Sequence, residues 1–176
     1  VDATYYFHSE IFPLIRRELP DINFIVIGEQ LRDGLKERPG FDALAGDPAV
    51  KLAGFVEDLS DYFDWARVMV VPLRYGSGVK GKVATGLSYG VPTVSTGIGS
   101  EGMGLTSGID FLQADDPADF AREVVRLYTD ETLWGKLSEN GVKFVTENFS
   151  EQAVRKRYLE LFAQTDVQPE RATPRS

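Results

Sequence analysis

The sequence predicts an α/β fold, a Rossmann-like parallel sheet with helices on both faces. Three observations carry the prediction. Runs such as Phe24-Ile25-Val26-Ile27 and Val68-Met69-Val70-Val71 are apolar throughout rather than alternating, as expected of strands buried on both faces. Segments of helical periodicity lie between such runs, so strands and helices alternate along the chain. No internal repeat of about 20 to 50 residues is present, which argues against a repeat architecture.

Composition bounds the rest. At 176 residues the chain can hold one domain with a real core and is too short for two of full size. That domain is expected over residues 1–164, with 165–176, rich in Pro, Arg and Thr, as a disordered tail. A formal net charge of −8 argues against nucleic acid as a partner, so any anionic ligand has to be held by a local basic site. Without cysteine there is no disulfide, no thiolate metal site and no cysteine nucleophile, which fits a reducing compartment; a cytoplasmic location is the expectation. No apolar run is long enough to cross a bilayer, and no signal peptide is recognisable. The single histidine, His8, cannot build a histidine metal cluster and is expected to be a surface or packing residue.

Taken in order, Asp2 to Leu19 reads as an amphipathic helix with Tyr6, Ile11, Leu14 and Ile15 on its apolar side, and Pro13 interrupts it or marks a second start. Asn23 to Gly28 reads as a strand, followed by a polar stretch to Gly46. Val50 to Val56 is another strand, after which Asp58 and Ser60 offer N-caps for a helix through Tyr62, Phe63 and Trp65. Val68 to Pro72 is the central strand. It runs into the glycine-rich loop Tyr75–Lys82 and then a helix with Val83 and Leu87 on one face, which Gly90 stops. Val91 to Thr96 is the next strand, and Thr96 to Gly102 a second glycine-rich loop.

Ile109 to Gln113 reads as an edge-like strand. Asp115-Asp116-Pro117 opens a helix through Phe120, Val124, Val125 and Leu127; capping explains this aspartate pair better than a metal site does. Asp130 or Thr132 starts a helix through Trp134, Leu137 and Val142. Phe149-Ser150 precedes a terminal helix with the apolar stripe Val154, Tyr158, Leu161 and Phe162.

The chemistry concentrates at the first glycine-rich loop. A helix N-terminus presents free N–H groups and the positive end of its dipole, and glycines let a ligand approach the backbone. Lys80 and Lys82 make this the best anion site in the chain, although glycines that merely shape a turn beside solvated lysines would look the same. The loop has neither Gly-x-Gly-x-x-Gly nor the Ser or Thr of a phosphate-binding loop. In open parallel sheets ligands sit beyond the carboxyl ends of the strands, so the two glycine-rich loops should converge on one crevice.

The stretch from Pro72 through Gly76, Gly78, Lys82, Gly90, Pro92, Val94, Glu101 and Gly102 resembles the donor-binding half of the retaining glycosyltransferases called group 1, or family 4. The resemblance runs from about Tyr6 to Phe162. It implies one half of a GT-B fold whose first strand is absent from this chain, and a donor domain that binds a nucleoside diphosphate sugar for transfer to an acceptor. On this resemblance the donor contacts are Arg74, Gly76, Gly78, Val79, Lys80, Lys82, Thr85 and Glu101, with Gly54, Phe55 and Val56 near the base and Glu29 and Gln30 as weaker candidates. Lys82 is the expected diphosphate contact and Glu101 the contact to sugar hydroxyls.

The family's two glutamates are replaced, the ribose-contacting one by Thr85 and the other within Gly76-Ser77-Gly78; a neutral hydroxyl anchors a ribose less strongly than a carboxylate. No metal and no cofactor beyond the nucleotide sugar is expected. The implied partner is an N-terminal acceptor-binding domain, against which the last helix packs and through which any peripheral membrane association would come. The isolated domain should transfer nothing. Two alternatives stand beside this reading: a non-catalytic scaffold module with a decayed site, and a nucleotide-binding regulatory domain of the same architecture.

Overall fold

The computed structural model describes residues 2–28, 39–76, 78 and 81–164, with side chains through residue 162. The stretch 165–176 and the candidates Glu29, Gln30, Val79 and Lys80 lie outside the described residues. The expected first helix is divided into α1 (Asp2–Tyr6), a π-turn (Phe7–Ile11) and α2 (Phe12–Glu18). Pro13 accounts for the division. It has no N–H to give to a carbonyl four residues back, and the wider turn, closed by the Phe12 amide on the Phe7 carbonyl, lets the helix restart with proline in its first turn.

Two parallel sheets follow. β1 (Phe24–Ile27) pairs with β2 (Val50–Gly54). β3 (Met69–Val71), β4 (Thr93–Ser95) and β5 (Leu112–Gln113) form the second sheet in that order. Among the described residues β1 and β3 share no ladder, so the parallel strands fall into two ladders. The two sheets nevertheless rest on one core. Phe24, Val50, Val70, Val94 and Leu112 all reach the cluster built by Phe7, Ile11, Phe12 and Ile15 together with Phe120, Val124 and Leu127. Strand alternation sends Val71 to the opposite face, where it meets Val83, Leu87 and Met103 in a second cluster.

The remaining helices are α3 (Phe41–Gly46), α4 (Ser60–Phe63), α5 (Gly81–Ser88), α6 (Gly97–Ser100), α7 (Pro117–Thr129), α8 (Glu131–Phe149) and α9 (Glu151–Gln164). Asp116 caps α7 by accepting from the Ala118 and Asp119 amides, and Asp130 rather than Thr132 caps α8 through the Leu133 amide at 2.9 Å. α5 ends as expected at Gly90, whose φ of +72° lets Val91 N reach the Gly86 carbonyl and Gly90 N the Leu87 carbonyl, both at 3.0 Å.

Two expectations are corrected. α4 stops at Phe63, so Trp65 lies beyond it, 83% exposed; Asp58 accepts from the amide and hydroxyl of Ser60, forming a turn before the helix instead of capping its first turn. Ile109 is outside β5, because Asp110 accepts the Thr106 amide at 2.8 Å and holds residues 106–110 in a turn. The apolar stripe Val154, Tyr158, Leu161 and Phe162 of α9 is exposed. His8 is a packing residue as expected. Its Nε2 lies 3.2 Å from Asp47, which also binds Arg16 and the Ala49 amide and so pins the first helical segment to the turn before β2.

Candidate functional site

Parallel pairing of β3, β4 and β5 puts their carboxyl ends on one edge, and the loops issuing there carry most of the residues singled out by sequence. β3 leads through Arg74, Gly76 and Gly78 into α5, whose N-terminal amides therefore face beyond this edge. Gly76 and Gly78 hold φ values of +144° and +81°, a backbone that only glycine adopts without strain. Lys82, on the first turn of α5, is exposed and has no hydrogen bond or ion pair among the described residues. A cation on that turn, at the positive end of a helix dipole, suits a diphosphate far better than any neutral ligand.

β4 leads into the second glycine-rich loop, and this one is sewn down. Thr96, 4% exposed, donates its hydroxyl to the Leu73 carbonyl at 2.6 Å and accepts the Gly99 amide at 3.0 Å, so it caps α6 while gripping the segment that leaves β3. Ser95 bonds the Val71 carbonyl in the same seam. Gly99 is packed so closely that a Cβ there would meet the Ser95 hydroxyl and sit 2.7 Å from the Val71 carbonyl oxygen. From the third strand end, Asp115 accepts the Gly97 amide at 2.7 Å. Glu101 is exposed just past α6, at its C-terminal cap position.

Two candidates are engaged elsewhere. Arg74 grips both carboxylate oxygens of Asp2, at 3.0 and 2.5 Å, and lies 4.7 Å from the centre of the Tyr6 ring. The Asp2 carboxylate raises the Arg74 guanidinium further above its ordinary value, while burial pushes the Tyr6 phenol up against the opposing pull of Arg74. Thr85 turns its hydroxyl back to the Gly81 carbonyl at 3.0 Å, leaving its oxygen to accept rather than donate. Gly54, Phe55 and Val56 lie at the carboxyl end of the other sheet, where the Gly54 carbonyl accepts the Gly28 amide at 2.8 Å and Phe55 is 71% exposed. Among the described residues no group of three or more His, Cys, Asp or Glu side chains could hold a metal.

Asp2, Tyr6, Thr96 and Asp115 are the site residues that sequence reasoning missed. A usable signal existed for Asp115. One carboxylate suffices to cap α7, so the first of two adjacent aspartates was free for another donor. Arg74's partners had no such signal, being more than sixty positions away in the chain.

Comparison with known proteins fits this geometry. Residues 1–130 match the family Glycosyl transferases group 1. An uncharacterised 44.6 kDa protein of the cps region of Klebsiella pneumoniae is 24% identical over 151 residues, covering 85% of this chain; the chain spans 39% of that protein's length. The C-terminal domain of a group 1 family glycosyl transferase (LpcC) from Francisella tularensis superposes with a TM-score of 0.69 at 19% identity, over 85% of this chain and 81% of the other. Alr3699/HepE of Anabaena, in its complex with UDP-glucose, gives a TM-score of 0.65 at 15% identity, over 86% of this chain and 44% of that one.

Proposed function

We propose that this chain, which belongs to the group 1 glycosyl transferases, is the part of a two-domain GT-B enzyme that binds the nucleotide-sugar donor, with the acceptor held by an N-terminal domain. The observation that carries the reading is the pair of glycine-rich loops on adjacent parallel strand ends, one leading into the N-terminus of α5 with Lys82, the other presenting Glu101. The nearness of a UDP-glucose complex in fold supports a sugar nucleotide as the ligand class.

Chemically, the task is to stabilise a nucleoside diphosphate leaving group as its bond to the sugar breaks. Lys80, Lys82 and the α5 amides supply positive charge where negative charge develops, which lowers the barrier more than it tightens the ground state. Glu101 accepts hydrogen bonds from sugar hydroxyls. Thr85 accepts one from the ribose, and the backbone of Gly54, Phe55 and Val56 borders the base. Arg74 can reach phosphate only by leaving Asp2. Among the described residues β1 pairs only with β2, and β3 only with β4, so each keeps a ladder edge for the expected first strand.

The runner-up is a scaffold module with a decayed site. The bound state of Arg74 and the inward turn of the Thr85 hydroxyl favour it. Calorimetric titration with UDP-, GDP- and ADP-sugars separates the readings. A donor domain gives saturable binding of one nucleotide, weakened by Lys82→Ala, and no transfer by this chain alone. Indifference to every sugar nucleotide would favour the scaffold.

A further inference from the structure

Resting on the donor-site reading, we infer that Thr96 and Asp115 are positioning residues that hold Glu101 in register with the diphosphate cradle. Neither side chain belongs to the two glycine-rich loops' exposed ligand groups, yet together they tie three strand ends to one another. The Thr96 hydroxyl is used twice, donating to the Leu73 carbonyl on the way to the first loop and accepting the Gly99 amide in the second. Asp115, from the end of β5, takes the Gly97 amide at 2.7 Å and is steadied by the Gln113 side-chain amide at 3.3 Å.

The short helix between Gly97 and Ser100 is thus gripped at its first residue from one side and capped from the other, and Glu101 follows immediately. α6 is a single turn, too short to hold its own geometry, so the direction in which Glu101 leaves it is set by these bonds. A carboxylate that must meet a sugar while the neighbouring loop holds the diphosphate needs such fixed spacing, since small displacements weaken directed hydrogen bonds steeply. Loss of either bond should therefore weaken recognition of the sugar while sparing the nucleoside diphosphate.

The test uses UDP and UDP-glucose as probes on this chain, with Thr96→Val, Thr96→Ser, Asp115→Ala and Asp115→Asn. Thr96→Val and Asp115→Ala should weaken UDP-glucose about tenfold and UDP by less than about twofold, with the hydroxyl- and acceptor-retaining variants near the parent. Amide hydrogen exchange at Gly97 and Gly99 should speed up in the same two variants, while thermal midpoints fall by only several degrees, too little to unfold the chain at about 25 °C. Equal losses for both probes, or none, would overturn the positioning role. If the parent binds neither probe, the donor reading fails and takes this role with it, and the exchange data then describe only a loop tether.

Discussion

The two glycine-rich loops are alike in composition and opposite in physical design. In the first, Gly78 is required by its left-handed backbone, and an added Cβ would meet nothing within 4 Å among the described residues. In the second, Gly99 sits within helix α6, and its missing side chain is required by the Val71 carbonyl and the Ser95 hydroxyl packed against it. One glycine leaves space in front of a helix N-terminus, whereas the other removes space so that a turn can be clamped to the strand before it. A binding crevice needs both, an open wall for the ligand and a fixed wall to measure it against.

The sharpest way to break this contrast is Gly99→Ala. Its Cβ would press on backbone that cannot rotate away, so destabilisation of about 2–3 kcal/mol is expected in urea melts. Gly78→Ala should cost only about 1 kcal/mol, from backbone strain alone, yet it should weaken nucleotide binding because the loop loses its shape. Equal stability losses in the two variants would remove the distinction. Lys82→Ala should change stability by less than about 0.5 kcal/mol, being exposed and unpaired among the described residues, while reducing affinity for UDP-glucose about tenfold.

A control lies away from both loops. The Ala49 amide above all, and then His8 and Arg16, hold the Asp47 carboxyl below its ordinary value despite partial burial. A carboxylate depressed in the folded state stabilises above its unfolded value of about 3.9, and that contribution is lost as pH falls through the folded value. Asp47→Asn should therefore be less stable than the parent at neutral pH, and the gap should shrink below about pH 4 without altering the contrast between the loops. A gap independent of pH would show that packing, not charge, anchors this turn.

Much of this was legible because it depends on local chemistry. Gly90 stops α5, Asp116 and Asp130 cap their helices, and the glycine-rich loops lie where the strand and helix patterns change. What escaped depends on distant partners. The π-turn before Pro13 reflects how a proline is absorbed within a packed helix, and the separation of β1 from β3 is a matter of which strands become neighbours. Among the candidate residues, the sequence singled out Lys82, Thr85 and Glu101 but could not show that Thr85 bonds Gly81 or that Arg74 is held by Asp2. It could show that one of Asp115 and Asp116 is spare once the other caps α7, but not that the spare carboxylate takes the Gly97 amide.

The central claim is that the crevice at the ends of β3 and β4 receives the donor. Chemical-shift mapping of the isotope-labelled chain during titration with UDP-glucose tests it most directly. The account predicts saturable shifts of the Gly78, Lys82, Val83, Glu101 and Gly102 amides, with α7 and α9 unmoved. Saturable shifts confined to any other surface, or none at millimolar UDP-, GDP- or ADP-glucose, would contradict it.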